Sequence, residues 1–254
     1  MDAKDHPVIS VLTDQKRFMV PIYQRQYAWG ENRWSDFWQD VVAKAEEALE
    51  GKPKFQHYMG ALIIAPGADG YVVGTTPRVQ VVDGQQRLTT FQLFLSAIRH
   101  VSTLMKFPDI AENVQNYLFN RPMTGDKDPE AKFKLVPTPE DKKRFQDIIE
   151  GGWKAVRANY PDVFYQNGNL KLGSAPAAIK AFAFFSDAIL DYARFGLYDP
   201  EEEKPTEDGN ESIRRNRLQG LLEALLNHLK LVIITLDEGD DAQQALGKTP
   251  LLPR

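Results

Sequence analysis

Apolar positions follow a helical rhythm in some stretches of the chain and a strand rhythm in others. Trp34, Phe37, Trp38, Val41, Val42 and Ala45 recur at helical spacing and predict a helix over 32–49, stopped by Gly51 and Pro53. Residues 88–104 predict a second helix, whose Leu88, Phe91, Leu95, Ile98 and Val101 form one stripe. Between them, 58–65 reads as a buried strand ended by Pro66 and Gly67. Residues 71–73 and 79–82 read as two further strands around a Gly-Thr-Thr-Pro turn. Near the start, 8–12 is short and apolar, and 18–22 reads as a strand with Pro21 at its edge or end.

Residues 121–129 are polar and turn-rich, and the chain beyond them reads as mainly helical. Helices are expected over 139–149, with Thr138 as cap, over 175–195, and over 211–228, with an acidic linker at 199–210. A β-branched strand over 229–236 is expected to return to the first sheet. The fold class is therefore α+β. A small mixed sheet with helices spans 1–120, and a mainly helical extension with a return strand spans 121–254.

Composition narrows the chemistry. The 254 residues include no cysteine, which excludes disulfides, thiolate nucleophiles and cysteine-bound zinc. The net charge of −4 comes from well-mixed signs, so bulk attraction to DNA is not expected, although a local basic surface is permitted. Residues 1–14 carry charges and no signal-type apolar stretch, and the longest apolar runs are far too short to span a bilayer. A cytoplasmic protein without membrane contact is expected.

The strongest local signal is Val79-Gln80-Val81-Val82-Asp83-Gly84-Gln85-Gln86-Arg87-Leu88-Thr89-Thr90. A strand runs into a polar cluster that opens a helix, and a helix start offers unpaired N–H donors and a favourable dipole to anions. Arg87 adds a planar fork of donors suited to phosphate. Gln85 and Gln86 each donate and accept. Asp83 offers an oxygen to a metal or takes a proton. A plain capped turn, with Asp83 as cap and Arg87 paired to it, fits the same residues.

The second signal is Pro21-Ile22-Tyr23-Gln24-Arg25-Gln26-Tyr27-Ala28-Trp29. If extended, it places Tyr23, Arg25, Tyr27 and Trp29 on one side, an arrangement suited to base stacking and phosphate contact. An aromatic patch packed on the Trp34 helix fits equally.

Tyr-Gln-Arg-x-Tyr-x-Trp, then the strand Tyr58-Met59-Gly60-Ala61-Leu62-Ile63-Ile64, then Asp-Gly-Gln-Gln-Arg-Leu-Thr-Thr, resembles the N-terminal domain family of the GmrSD-type restriction systems. Phe133-Lys134-Leu135 and residues 229–241 agree more loosely. The resemblance implies a fold related to ParB and sulfiredoxin-like domains. It implies a role in bacterial defence against phage or modified DNA, in which the domain binds and hydrolyses a nucleoside triphosphate with Mg²⁺ and controls a nuclease domain or subunit. It makes Asp83, Gln85, Gln86 and Arg87 the catalytic motif, with Asp83 on the metal. Tyr23, Gln24, Arg25, Gly84, Arg87 and Thr89 become the residues that hold the nucleotide. A nicking nuclease using the same motif, and a sensing module without turnover, are the alternatives.

The resemblance weakens at the end. After Asp240-Asp241-Ala242-Gln243 the family continues with a Phe-Glu-x-Leu-Asn segment, whereas this chain passes to Ala245-Leu246-Gly247-Lys248-Thr249. The Asn-bearing segment and a His-Asn-His nuclease domain are expected to be missing. Gly247-Lys248-Thr249 imitates the end of a phosphate-binding loop, but Ala242 stands where its first glycine belongs. Pro108-Asp109 with Glu130-Ala131-Lys132 imitates a nuclease pattern, yet its Glu-x-Lys follows a polar loop rather than lying on a rigid strand. His6, His57, His100 and His228 show no metal-ligand spacing; His57, just before the Gly60 strand, is the one able to approach the motif.

Overall fold

A computed structural model describes residues 2–51, 56–67, 70, 72–199, 201 and 203–237. Six strands form one mixed sheet: β1 (Asp2–Pro7), β2 (Arg17–Met19), β3 (His57–Pro66), β4 (Arg78–Asp83), β5 (Leu135–Val136) and β6 (Leu229–Thr235), in the order β1-β6-β3-β4-β2-β5. β6 pairs parallel to β3 and antiparallel to β1, so the expected return strand does rejoin the sheet. β3 and β4 are antiparallel, and β2 runs parallel to both β4 and β5.

The helices are α1 (Val8–Thr13), α2 (Glu31–Leu49), α3 (Gln85–Leu104), α4 (Pro108–Leu118), α5 (Pro139–Asn159), α6 (Ala177–Phe195) and α7 (Glu211–Glu223). One turn of π-helix, Ala224–His228, joins α7 to β6. Alternation along β3 sends Leu62 and Ile64 into the main core, while Ile63 meets Val82 and Leu236 on the other face. α3 is buried on nearly all sides, its polar residues Gln85, Gln86, Thr90, Gln92 and Ser96 included, and packs against α4, α5 and α6. Phe37 of α2 meets Phe91 and Phe94 of α3 and Phe185 of α6, with ring centroids 5.3–5.7 Å apart. α5 breaks at Gly152, and buried Arg99 donates to the Ile149 carbonyl beside the break. Among the described residues no helix is long and apolar enough to cross a membrane.

Several local expectations change. Tyr71 lies outside the described residues, and Val72 and Val73 form a turn rather than a strand; Val73 is 85% exposed. The Val72 carbonyl accepts from Thr75 N–H at 3.2 Å, which closes a turn over 72–75. The 21–29 stretch is not extended: Gln24 N–H turns back to the Pro21 carbonyl at 3.0 Å. Thr138 occupies the cap of α5 without a side-chain bond to it. The imitated nuclease residues are engaged in ion pairs, Asp109 with Arg215, Glu130 with Lys142 and Lys132 with Glu150. Residues 238–254, where the resemblance was expected to weaken, lie outside the described residues.

Candidate functional site

β4 delivers Asp83 to the end of the sheet, and Gly84 turns the chain directly into α3. Gly84 holds φ at +97°, and a Cβ there would stand 3.0 Å from Leu62 Cδ1 and 3.1 Å from the Ala61 carbonyl oxygen. Gly84, not Asp83, therefore occupies the cap of α3.

The two glutamines that follow point inward. Gln86, 5% exposed, accepts from Ala28 N–H at 2.8 Å and donates to the Gln26 carbonyl at 3.0 Å. Gln85 donates to Gln24 Oε1 at 3.0 Å, leaving its own buried Oε1 without a partner, and Gln24 donates to the Val82 carbonyl at 2.8 Å. Tyr27 is sunk into the core, where its hydroxyl meets Thr90 Oγ1 at 2.8 Å and accepts from Trp34 Nε1 at 2.9 Å. Burial pushes the Tyr27 phenol well above its ordinary range. Its N–H donates to Asp141 at 2.6 Å, and burial raises that carboxyl as well. The two sequence motifs are thus bound edge to edge. The 24–28 segment is threaded along the first turn of α3, and buried amides fix its course.

Arg87 leaves α3 on the β3 side. Its Nη1 donates to the Ala61 carbonyl at 2.9 Å and stands 4.0 Å from Asp83 Oδ2. β3 makes room for it: the β3–β6 register shifts between Tyr58 and Ala61, and Gly60 adopts φ +101°.

Beyond this latch opens a cavity of about 610 Å³. Arg25 and Arg87, one from each motif, line it together with Arg33 of α2. Trp29 and Tyr58 supply aromatic wall, and Asp36, Asp40 and His57 supply acid–base groups. His57 Nε2 lies 3.3 Å from Asp40 Oδ2. Burial pushes the Asp40 carboxyl upward; His57 opposes this and Asp36 adds to it. Arginine forks beside aromatic faces suit a ligand that carries both phosphate and a ring.

The remaining expected site residues do not line the cavity. Tyr23 is 73% exposed at the turn, and Gln24 is held between Gln85 and the Val82 carbonyl. Thr89 is buried and donates back to the Gln85 carbonyl at 2.8 Å. Asp83 stands beside Arg87 with its side chain 41% exposed. Sequence reading missed Arg33, Asp36 and Asp40. The signal was present, since these three share one polar face of α2, but only the apolar face of that helix was read.

Among the described residues no group of three or more His, Asp or Glu is suited to a metal. Mg²⁺ needs less, because it keeps water and phosphate oxygens and takes one or two carboxylates from protein. Asp83, half open to solvent and held only loosely by Arg87, fits that requirement.

No curated protein matches the chain. Residues 8–246 match the family model described as the GmrSD restriction endonuclease, N-terminal domain. The match covers most of the chain and spans both motifs, the latch between them and the cavity they line. The chain therefore belongs to the family of GmrSD restriction endonuclease N-terminal domains.

Proposed function

We propose that this domain of a restriction system binds a nucleoside triphosphate with Mg²⁺ in the Arg25–Arg33–Arg87 cleft. It hydrolyses the nucleotide and thereby controls a nuclease domain or subunit that acts on DNA. The observation that carries this reading is the meeting of Arg25 and Arg87 in one cavity beside Trp29 and Tyr58. Distant motifs converge there on a donor set matched to phosphate and an aromatic wall matched to a base.

In this reading the three guanidiniums neutralise the phosphates and fix the chain of the nucleotide. Gln86 and Gln24 contribute by holding the segment that carries Arg25. Asp83 would hold Mg²⁺, which supplies charge neutralisation between the phosphates when bound. Positioning and electrostatics account for most of the catalysis, as is general for phosphoryl transfer.

The test is phosphate release from ATP, GTP, CTP and UTP with Mg²⁺, beside Asp83→Ala and Arg25→Ala. Turnover that disappears in both variants is expected. Saturable binding without turnover would instead identify a sensing module. Metal-dependent nicking of plasmid DNA, lost in Asp83→Ala, would identify a nuclease.

A further inference from the structure

We infer that His57, oriented by Asp40, takes the proton from the water that attacks the triphosphate in this cleft; the inference rests on the nucleotide reading above. Neither residue belongs to either sequence motif. Both line the cavity that Arg25, Arg33 and Arg87 line. His57 Nε2 is 3.3 Å from Asp40 Oδ2, and among the described residues its Nδ1 makes no hydrogen bond. One imidazole nitrogen is thus held by a carboxylate while the other remains for water, the arrangement by which an oriented histidine acts as a base.

The position of the pair argues against a purely structural role. Its side chains are 34% and 41% exposed, and an ion pair so open to solvent contributes little to stability. Its place in the fold is nevertheless fixed from two sides. His57 opens β3, the strand whose Gly60 admits Arg87, so one strand sets both His57 and the guanidinium. Asp40 lies one turn after Asp36 on α2, and burial with Asp36 nearby disfavours its bare carboxylate. An imidazole that gains positive charge during reaction relieves that cost.

The step is balanced. The water oxygen bonds to the γ-phosphorus, and its proton passes to His57 Nδ1. The bond from the γ-phosphorus to the β–γ bridging oxygen breaks, and that oxygen keeps the electron pair on the departing nucleoside diphosphate. His57 then returns the proton to solvent. His57 is the catalytic residue in this scheme, and Asp40 is a positioning residue that acts through it.

The experiment uses the full chain with Mg²⁺ and whichever of the four nucleoside triphosphates it hydrolyses fastest. His57→Ala, His57→Gln and Asp40→Asn are compared for binding, single-turnover rate and melting temperature. His57→Ala is expected to bind like wild type and to lose about 10²- to 10⁴-fold in the chemical step. Added imidazole is expected to restore part of that loss to His57→Ala, and nothing to wild type or Asp40→Asn. Wild-type turnover in His57→Ala, or loss of binding together with turnover, would overturn the inference. So would a folded His57→Gln that turns over at the wild-type rate. A wild-type chain that binds nucleotide without hydrolysing it would overturn this inference and the hydrolysis in the proposed function, and would leave the nucleotide site standing. One that binds no nucleotide would overturn the proposed function itself.

Discussion

Arg87 lies against Gly60 so closely that a Cβ on that glycine would stand 2.9 Å from Arg87 Nη2. The contact explains why a glycine interrupts a largely apolar strand. It also ties the bulge in β3 to the guanidinium that lines the cleft.

Gly60→Ala is therefore expected to cost about 1–3 kcal/mol through its positive φ, and to push Arg87 from the Ala61 carbonyl. Chemical denaturation measures the first effect. Nucleotide titration measures the second, as a weaker Kd. Unchanged stability would mean that β3 relaxes freely at this point.

Gln86→Ala removes both bonds that hold the 26–28 backbone to α3. Leaving those backbone groups unpaired is expected to cost about 1–3 kcal/mol. Hydrogen exchange should become faster at Ala28, while amides in the middle of α3 keep their protection. Uniform loss across the domain would show that the segment is not a separable clamp.

Arg25 and Arg33 line the cleft without being part of the core. Each changed to alanine should leave the melting temperature near wild type and weaken nucleotide binding about 10- to 100-fold. Calorimetric titration decides this. An unchanged Kd in both would remove these arginines from the phosphate site.

Lys134 gives a pH signature independent of function. It is buried, donates to the Asp14 carbonyl at 2.7 Å, and burial pushes its ammonium down to about 8. The unfolded chain holds that proton to about pH 10.4. Between those values the unfolded state binds more protons, so stability rises with pH through this window. Urea midpoints measured from pH 7 to 10 should show the rise, and Lys134→Met should flatten it.

Elements with a strong period of their own were legible in the sequence, and those made by their neighbours were not. α2, α3, β3 and β4 carry clear apolar patterns and formed close to where these patterns place them. β1, Asp-Ala-Lys-Asp-His-Pro, has no strand character and exists because β6 offers it an edge. β5 is two residues long, too short to show alternation. α4 begins at Pro108, in the stretch taken only for an imitation of a nuclease motif. The convergence of Arg25 and Arg87 was expected from the paired motifs. The inward turn of Gln85 and Gln86 was not, because a sequence shows that an amide donates and accepts but not which way it faces. Tyr27 illustrates the same limit: alternation placed it beside Arg25, whereas the Pro21 turn sends it into the core.

The most direct test of the central claim is a calorimetric titration of the wild-type chain with each of ATP, GTP, CTP and UTP in the presence of Mg²⁺, repeated with Arg25→Ala, Arg33→Ala and Arg87→Ala. Saturable binding of at least one triphosphate, weakened in all three variants while each stays folded, is the expected result. Absence of binding for every nucleotide, or binding that none of the three substitutions changes, would contradict the assignment of this cleft.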